Sequence, residues 1–235
     1  MRVLALSIAF AVAAPVLAAP AKPSAAAKPA NWAETYSITP AGGLLIGNPN
    51  ARVKLIEFGS FSCNHCRDFH AAAMPALKAK YLARGQVSFE FRSFVRNGAD
   101  FGASLVAQCL PAKQAYSAIN AFFGAQDQWL APYAAMTEAQ MAAINAAPDA
   151  DRPRLMAREG KLADFVAPLG LDAARVEACL SAKPAADRLL AIRNEAINVY
   201  GLEGTPTLVI NGKTVAGVFT WAELEPRLIA AVAGK

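Results

Sequence analysis

Several features that commonly announce a function are scarce in this sequence. It has only two histidines and four cysteines in 235 residues. There is no second Cys-X-X-Cys and no histidine pair, so the usual ligand spacing of a zinc module is missing. A c-type haem site needs histidine directly after the second cysteine, and Arg67 stands there. The 23 basic residues are scattered, with no basic run interleaved with aromatics. The formal net charge of +5 therefore reads as a solvated surface and excludes nucleic acid as a partner. After the first segment no run approaches the ~20 apolar residues that span a bilayer. No internal repeat is evident.

What is present begins with a secretory pattern over residues 1–18. Arg2 is a minimal positive region, Val3 to Val16 carry no charge, and Val16-Leu17-Ala18 offers small residues before a cut after Ala18. The apolar stretch is short for a membrane anchor. No cysteine lies near the cut to carry a lipid. Residues 19–30 contain only Ala, Pro, Lys and Ser and read as a solvated tether. The folded part is expected from about Trp32. Hydrophobic residues make up 55% of the chain, much of it alanine, which fits a helix-rich globular protein.

Export changes how cysteine reads. In an oxidising compartment an even count suggests disulfides. Cys63 and Cys66 form one pair, and Cys109 and Cys179 remain as the second. Two buried free thiols are the alternative for the latter.

Cys63-Asn64-His65-Cys66 stands between Val53–Gly59, an apolar run with β-branched residues, and Arg67–Met74, a run of helix formers. That places two thiols at a helix N-terminus. The dipole and free N–H groups there favour a thiolate on Cys63, the expected nucleophile, with Ser62 as a candidate cap. Cys66 is then the resolving thiol. His65, within the pair, would stabilise the thiolate through its donors and its charge when protonated. Competing readings are a metal site of Cys63, Cys66 and His70, completed by Cys109 or Cys179, and an inert disulfide. So short a loop removes little unfolded-state entropy and would be a poor staple.

Along the chain, Pro75 should kink or divide the helix after the pair. Val87–Phe94 alternates apolar and polar residues as a strand does, completing a strand–helix–strand unit. Residues 98–200 read as helical, with candidates near 100–109, 112–123, 137–146, 153–166, 172–181 and 185–200. Trp129 and Tyr133 read as core or surface of that segment. Thr207–Ile210, Asn211-Gly212 and Lys213–Val218 form a hairpin. Thr220 and Glu223 make a capping box that opens a last helix to Val232.

Glu57 to Cys66, Pro75 to Tyr81, and Gly204-Thr205-Pro206-Thr207 resemble the thioredoxin superfamily, specifically exported thiol:disulfide oxidoreductases of the DsbA type. The resemblance covers about 31–235. It implies an α/β thioredoxin fold, a mixed sheet of four or five strands flanked by helices. The thioredoxin-like domain would comprise 31–97 and 201–235, with 98–200 as an inserted helical domain. Pro206 would be cis and face the cysteine pair, with Thr205 pairing its backbone with an extended substrate. Glu57 would be the acid beneath the site, relaying the proton of Cys66. Cys109 and Cys179 would fall where a subset of the family carries a second disulfide.

The activity so implied is disulfide donation to reduced, unfolded exported polypeptides in the periplasm. The protein would be a monomer with no bound cofactor or metal. A membrane quinone-linked partner of the DsbB type would reoxidise it. Asn64, where oxidising members carry proline, leaves the potential open. Thr205, where some strong oxidases carry valine, leaves isomerase-like behaviour open. Isomerases of this superfamily often carry an N-terminal dimerisation domain, and the short tether here favours an oxidase over an isomerase or reductase kept reduced by a membrane donor. A copper- or zinc-binding exported protein is the rival of another class.

Overall fold

A six-stranded mixed sheet carries the fold in the computed structural model, which describes residues 31–234. The expected signal segment and tether, 1–18 and 19–30, lie outside the described residues. Two short strands come first as an antiparallel hairpin, β1 (Tyr36–Ile38) and β2 (Leu44–Gly47). β3 (Val53–Gly59) leads into α1 (Asn64–Ala76) and then β4 (Val87–Ser93). β3 and β4 pair in parallel over their whole length, from Val53 opposite Val87 to Gly59 opposite Ser93. β5 (Thr207–Ile210) and β6 (Lys213–Thr214) complete the order β1-β2-β4-β3-β5-β6. The sheet is thus wider than the expected four or five strands, because β1 and β2 carry only three and four residues and give little periodicity to read.

Pro75 does not end its helix. α1 runs through it and passes into a π-helical turn, Leu77–Leu82. Proline supplies no N–H, so the ladder must change register or lose a bond there. β4 is buried along its entire length, including Ser88, Glu90 and Arg92. Its polar residues do not face water, as alternation would suggest. Arg92 pairs with Glu90 at 2.8 Å and with Glu195 at 2.6 Å, so charge is neutralised inside the cover.

Between the two groups of strands the chain is helical. It forms α2 (Gly98–Gln108), α3 (Ala112–Gly124), α4 (Gln126–Ala134), α5 (Glu138–Ala146), α6 (Arg152–Glu159), α7 (Leu162–Val166), α8 (Ala173–Leu180) and α9 (Lys183–Asn198). The expected helix over 153–166 is two helices, broken where Lys161 adopts a left-handed φ of 53°. α4 has no counterpart among the expected elements. The hairpin turn Asn211-Gly212 has φ of 50° and 78°, as a two-residue turn requires, but its second strand stops at Thr214. Thr220 and Glu223 form the capping box that opens α10 (Trp221–Ala233).

Phe61 joins sheet and helices. Its ring lies 5.4 Å from Phe91 of β4, and 5.0 and 5.3 Å from Phe122 and Phe123 of α3. Each such aromatic pair adds about 0.5–1.5 kcal/mol beyond simple burial. The turn just before the cysteine pair is therefore anchored in the main core.

Candidate active site

Cys63 is the N-cap of α1, in extended backbone conformation. Its N–H donates to the Ser60 carbonyl at 3.1 Å, and its own carbonyl accepts from Arg67 N at 3.1 Å. The first turn of the helix thus starts at Cys63. Ser62 is not the cap. Its hydroxyl accepts from Asn97 Nδ2 at 2.9 Å and shares a contact with the Ser60 hydroxyl at 3.1 Å. Cys63 and Cys66 are both free thiols, and both are buried.

The two thiols are biased in opposite directions. Cys63 is held down at about 5, first by the hydrogen bond from the Cys66 thiol. Burial opposes this; the Thr205 side chain, the Cys66 N–H and the positive charge of Arg96 reinforce it. Cys66 is pushed far up, chiefly by burial, then by its role as donor to Cys63 and by the nearby Glu57 carboxyl. One sulfur is therefore a thiolate at neutral pH while the other keeps its proton.

Glu57 lies on β3, fully buried, and neither carboxyl oxygen has a hydrogen-bond partner among the described residues. Burial raises its pKa well above the usual range, and the Cys63 charge adds to this. Gly59 makes room for it: a Cβ there would lie 2.8 Å from Glu57 Oε1 and 2.6 Å from the Phe91 ring.

The Thr205–Pro206 peptide is cis, and the Thr205 carbonyl oxygen lies 3.3 Å from Cys63 Sγ, accepting from it while the thiol keeps its proton. Cys63, Glu57, Thr205 and Pro206 are thus gathered at one end of the sheet, where β3 ends and β5 begins. A cleft of about 630 Å³ opens there, with Cys63, His65, Phe94, Arg96, Leu202 and Thr205 in its wall. His65 is exposed at this rim. Cys109 and Cys179 stand apart from the cleft, joined as a disulfide between the end of α2 and α8, with Cα atoms 5.6 Å apart.

Arg67 pairs with Asp68 at 2.9 Å and Asp127 at 3.5 Å. His70 is buried against Phe123, its Nε2 2.7 Å from Asn120 Oδ1, and burial lowers its pKa. Among the described residues no three His, Cys, Asp or Glu side chains converge on a point that would hold a metal ion.

Three residues of the site carry no local sequence signal of their own, or nearly none. Arg96 brings positive charge to Cys63. Asp100 of α2 accepts from the Ser60 hydroxyl and the Phe61 N–H at 2.7 and 2.9 Å. Gln126 of α4 donates to the Phe61 and Cys63 carbonyls at 2.8 and 3.0 Å. The one charged residue inside the run 98–107, whose other polar side chain is Ser104, was the available signal for Asp100.

An ionised thiol and a protonated one on the first turn of a single helix suit dithiol–disulfide exchange, and with this sheet they define a thioredoxin-like protein. The chain belongs to the thioredoxin family, whose model matches residues 39–229. The crystal structure of a protein-disulfide isomerase from Novosphingobium aromaticivorans is similar to it, at 36% identity and a TM-score of 0.77, over 81% of this chain and 97% of that one. The Wolbachia pipientis α-DsbA1 structure shares the fold at 22% identity and a TM-score of 0.61, over 81% of this chain and 90% of that one. A Rickettsia typhi protein named "Putative protein-disulfide oxidoreductase" is 24% identical over 72% of this chain and 54% of its own length. The chain thus spans about half the length of that curated relative. No helix among the described residues is long and apolar enough to cross a membrane.

Proposed function

We propose that this protein is a thiol:disulfide oxidoreductase that introduces disulfides into exported proteins in the periplasm. The observation that carries the reading is the asymmetry of the pair. Cys63 caps the helix, lines the cleft and touches Thr205, whereas Cys66 lies behind it with no exposed surface.

The exchange starts from the oxidised Cys63–Cys66 pair. A substrate thiolate attacks Cys63 Sγ, the S–S bond breaks, and Cys66 leaves and takes a proton. A second substrate thiolate attacks the substrate sulfur of the mixed disulfide and expels Cys63 as thiolate. The substrate is oxidised by two electrons and the pair reduced by two. A low-pKa thiol is the better leaving group, so the bias at Cys63 favours this direction. Glu57, buried beside the pair, would hold or pass the proton of Cys66. Thr205 would receive the substrate backbone beside Cys63. The substrates are reduced, unfolded exported polypeptides met by a monomer. Reoxidation falls to a membrane quinone-linked partner of the DsbB type.

A second reading is a disulfide isomerase or reductase kept reduced by a membrane donor. The likeness to the Novosphingobium protein-disulfide isomerase and the threonine at position 205 favour it. The Cys63–Cys66 reduction potential, measured against glutathione, separates the two. A value nearer about −120 mV supports the oxidase, and one nearer about −270 mV, the range of thioredoxin, overturns it.

A further inference from the structure

The turn that presents Cys63 is held by side chains that belong to neither the sheet nor α1. Asp100, in the first turn of α2, has no exposed surface. Its Oδ1 accepts from the Phe61 N–H at 2.9 Å. Its Oδ2 accepts from the Ser60 hydroxyl at 2.7 Å and from the Arg96 N–H at 3.0 Å. Gln126, the first residue of α4, is likewise buried. Its Nε2 donates to the Phe61 carbonyl at 2.8 Å and to the Cys63 carbonyl at 3.0 Å. Both backbone groups of Phe61 are therefore bonded to side chains of the helical segment, and the Phe61 ring is seated against α3.

Buried polar groups need partners, and a carboxylate and an amide are costly groups to place in a core. Here both direct their hydrogen bonds to the turn from Ser60 to Cys63 and to the backbone of Arg96. An apolar pair of equal size would fill the space and leave the Phe61 N–H and two carbonyls without these bonds. What the polar pair adds is a fixed backbone path into the helix N-cap.

We propose that Asp100 and Gln126 act together as positioning residues. They hold the Ser60–Cys63 turn so that the Cys63 sulfur stays aligned with Thr205, and Asp100 also fixes the backbone from which Arg96 reaches the cleft. This rests on the reading of Cys63 as nucleophile. The helical segment then contributes to exchange through the geometry of the turn and touches no reacting atom.

The test compares Asp100→Asn and Gln126→Met, both close in size to the native residue, with Val176→Ala, a core change on α8 away from the turn, and with Cys63→Ala. Two rates are measured on folded, reduced protein and divided by the fraction of Cys63 ionised. One is attack of Cys63 on a disulfide-bonded peptide, the reverse of the proposed exchange through the same mixed disulfide, which needs alignment along Thr205. The other is alkylation by iodoacetamide, which does not. Each clamp variant is expected to slow peptide exchange by about threefold to tenfold, the effect of losing one or two hydrogen bonds at the aligned geometry. Alkylation should be unchanged, and Val176→Ala should alter neither rate. Full-rate peptide exchange in both clamp variants, with Cys63→Ala inactive, overturns the clamp alone. Equal slowing by Val176→Ala also overturns it, as a general stability effect. Exchange retained in Cys63→Ala overturns the reading of the site and the clamp with it. If Asp100→Asn fails to fold, Gln126→Met decides the matter by itself.

Discussion

Reducing the Cys63–Cys66 pair should change stability in a way that depends on pH, and the structure sets the sign. Cys63 is held at about 5 in the folded protein, against about 8.5 for a free cysteine. A folded pKa below the unfolded one stabilises the fold fully above the unfolded value, and that stability is lost as pH falls through the folded one. At pH 7 the shift corresponds to a hundredfold bias, up to about 2.7 kcal/mol, falling to about 0.4 kcal/mol at pH 5. The sulfur lines an open cleft, so solvent screening reduces the figure at pH 7 to about 1–2 kcal/mol. Cys66 acts the other way. Its raised pKa leaves it protonated where an unfolded thiol ionises, so above about pH 8.5 it opposes the gain. The oxidised form has neither thiol and supplies the baseline. Denaturant midpoints of both redox forms from pH 5 to pH 9 give the difference directly. Reduced minus oxidised stability should rise from pH 5, level off near pH 8.5, and favour the reduced form at pH 7. A flat difference, or one that falls between pH 5 and pH 8, refutes the assignment of Cys63 as the thiolate.

Cys63→Ala should abolish oxidation of a reduced unfolded protein, while Cys66→Ala, offered a disulfide-bonded substrate, should accumulate mixed disulfides visible on non-reducing gels; the reverse pattern would exchange the two roles. Glu57→Leu removes a buried carboxyl without a hydrogen-bond partner and should stabilise the protein by about 1–3 kcal/mol at neutral pH. Because the folded pKa of Glu57 lies above its unfolded value, that gain should be smaller at pH 4 than at pH 7, and formation of the mixed disulfide, the step in which Cys66 takes a proton, should slow; a lower melting temperature at pH 7 counts against it. Peptide mapping of unreduced protein should find Cys109 joined to Cys179, and mild reductant should open the Cys63–Cys66 pair first. Replacing both Cys109 and Cys179 by alanine should cost up to about 4 kcal/mol, as a cross-link closing a long loop does, and leave peptide exchange at Cys63 unchanged in folded protein.

The parts of the fold that were legible in the sequence are those whose cause is local. β3 and β4 are long enough to show their composition, Asn211-Gly212 has few conformations open to it, and Thr220 with Glu223 satisfies helix donors within one turn. The cysteine pair was legible for the same reason, since strand, pair and helix are adjacent in the chain. β1 and β2 were missed because so few residues carry no period, and each is held by its neighbour more than by its own sequence. α4 was missed because Pro132 sits inside it and its one deeply buried aromatic, Trp129, gives no repeating stripe.

The part of the site that was not legible is the part supplied by distance. Thr205 lies 142 residues from Cys63, Asp100 lies 39 from Phe61, and Gln126 lies 63 from Cys63. Nothing in the local composition around Gln126 tells it from any exposed helix glutamine. Burial gives it a function, because a buried amide is costly without partners and here it donates to the carbonyls of Phe61 and Cys63. The opposite bias of the two thiols has the same origin. Cys63 and Cys66 are the same residue type three positions apart, and the dipole of α1 acts on both. What separates them is that Cys66 faces the core and Glu57, while Cys63 faces Thr205, Arg96 and the cleft. A substitution that turned Cys66 toward the cleft would narrow the gap between the thiols without altering the motif, so the redox character of the pair belongs to its surroundings and not to its spacing.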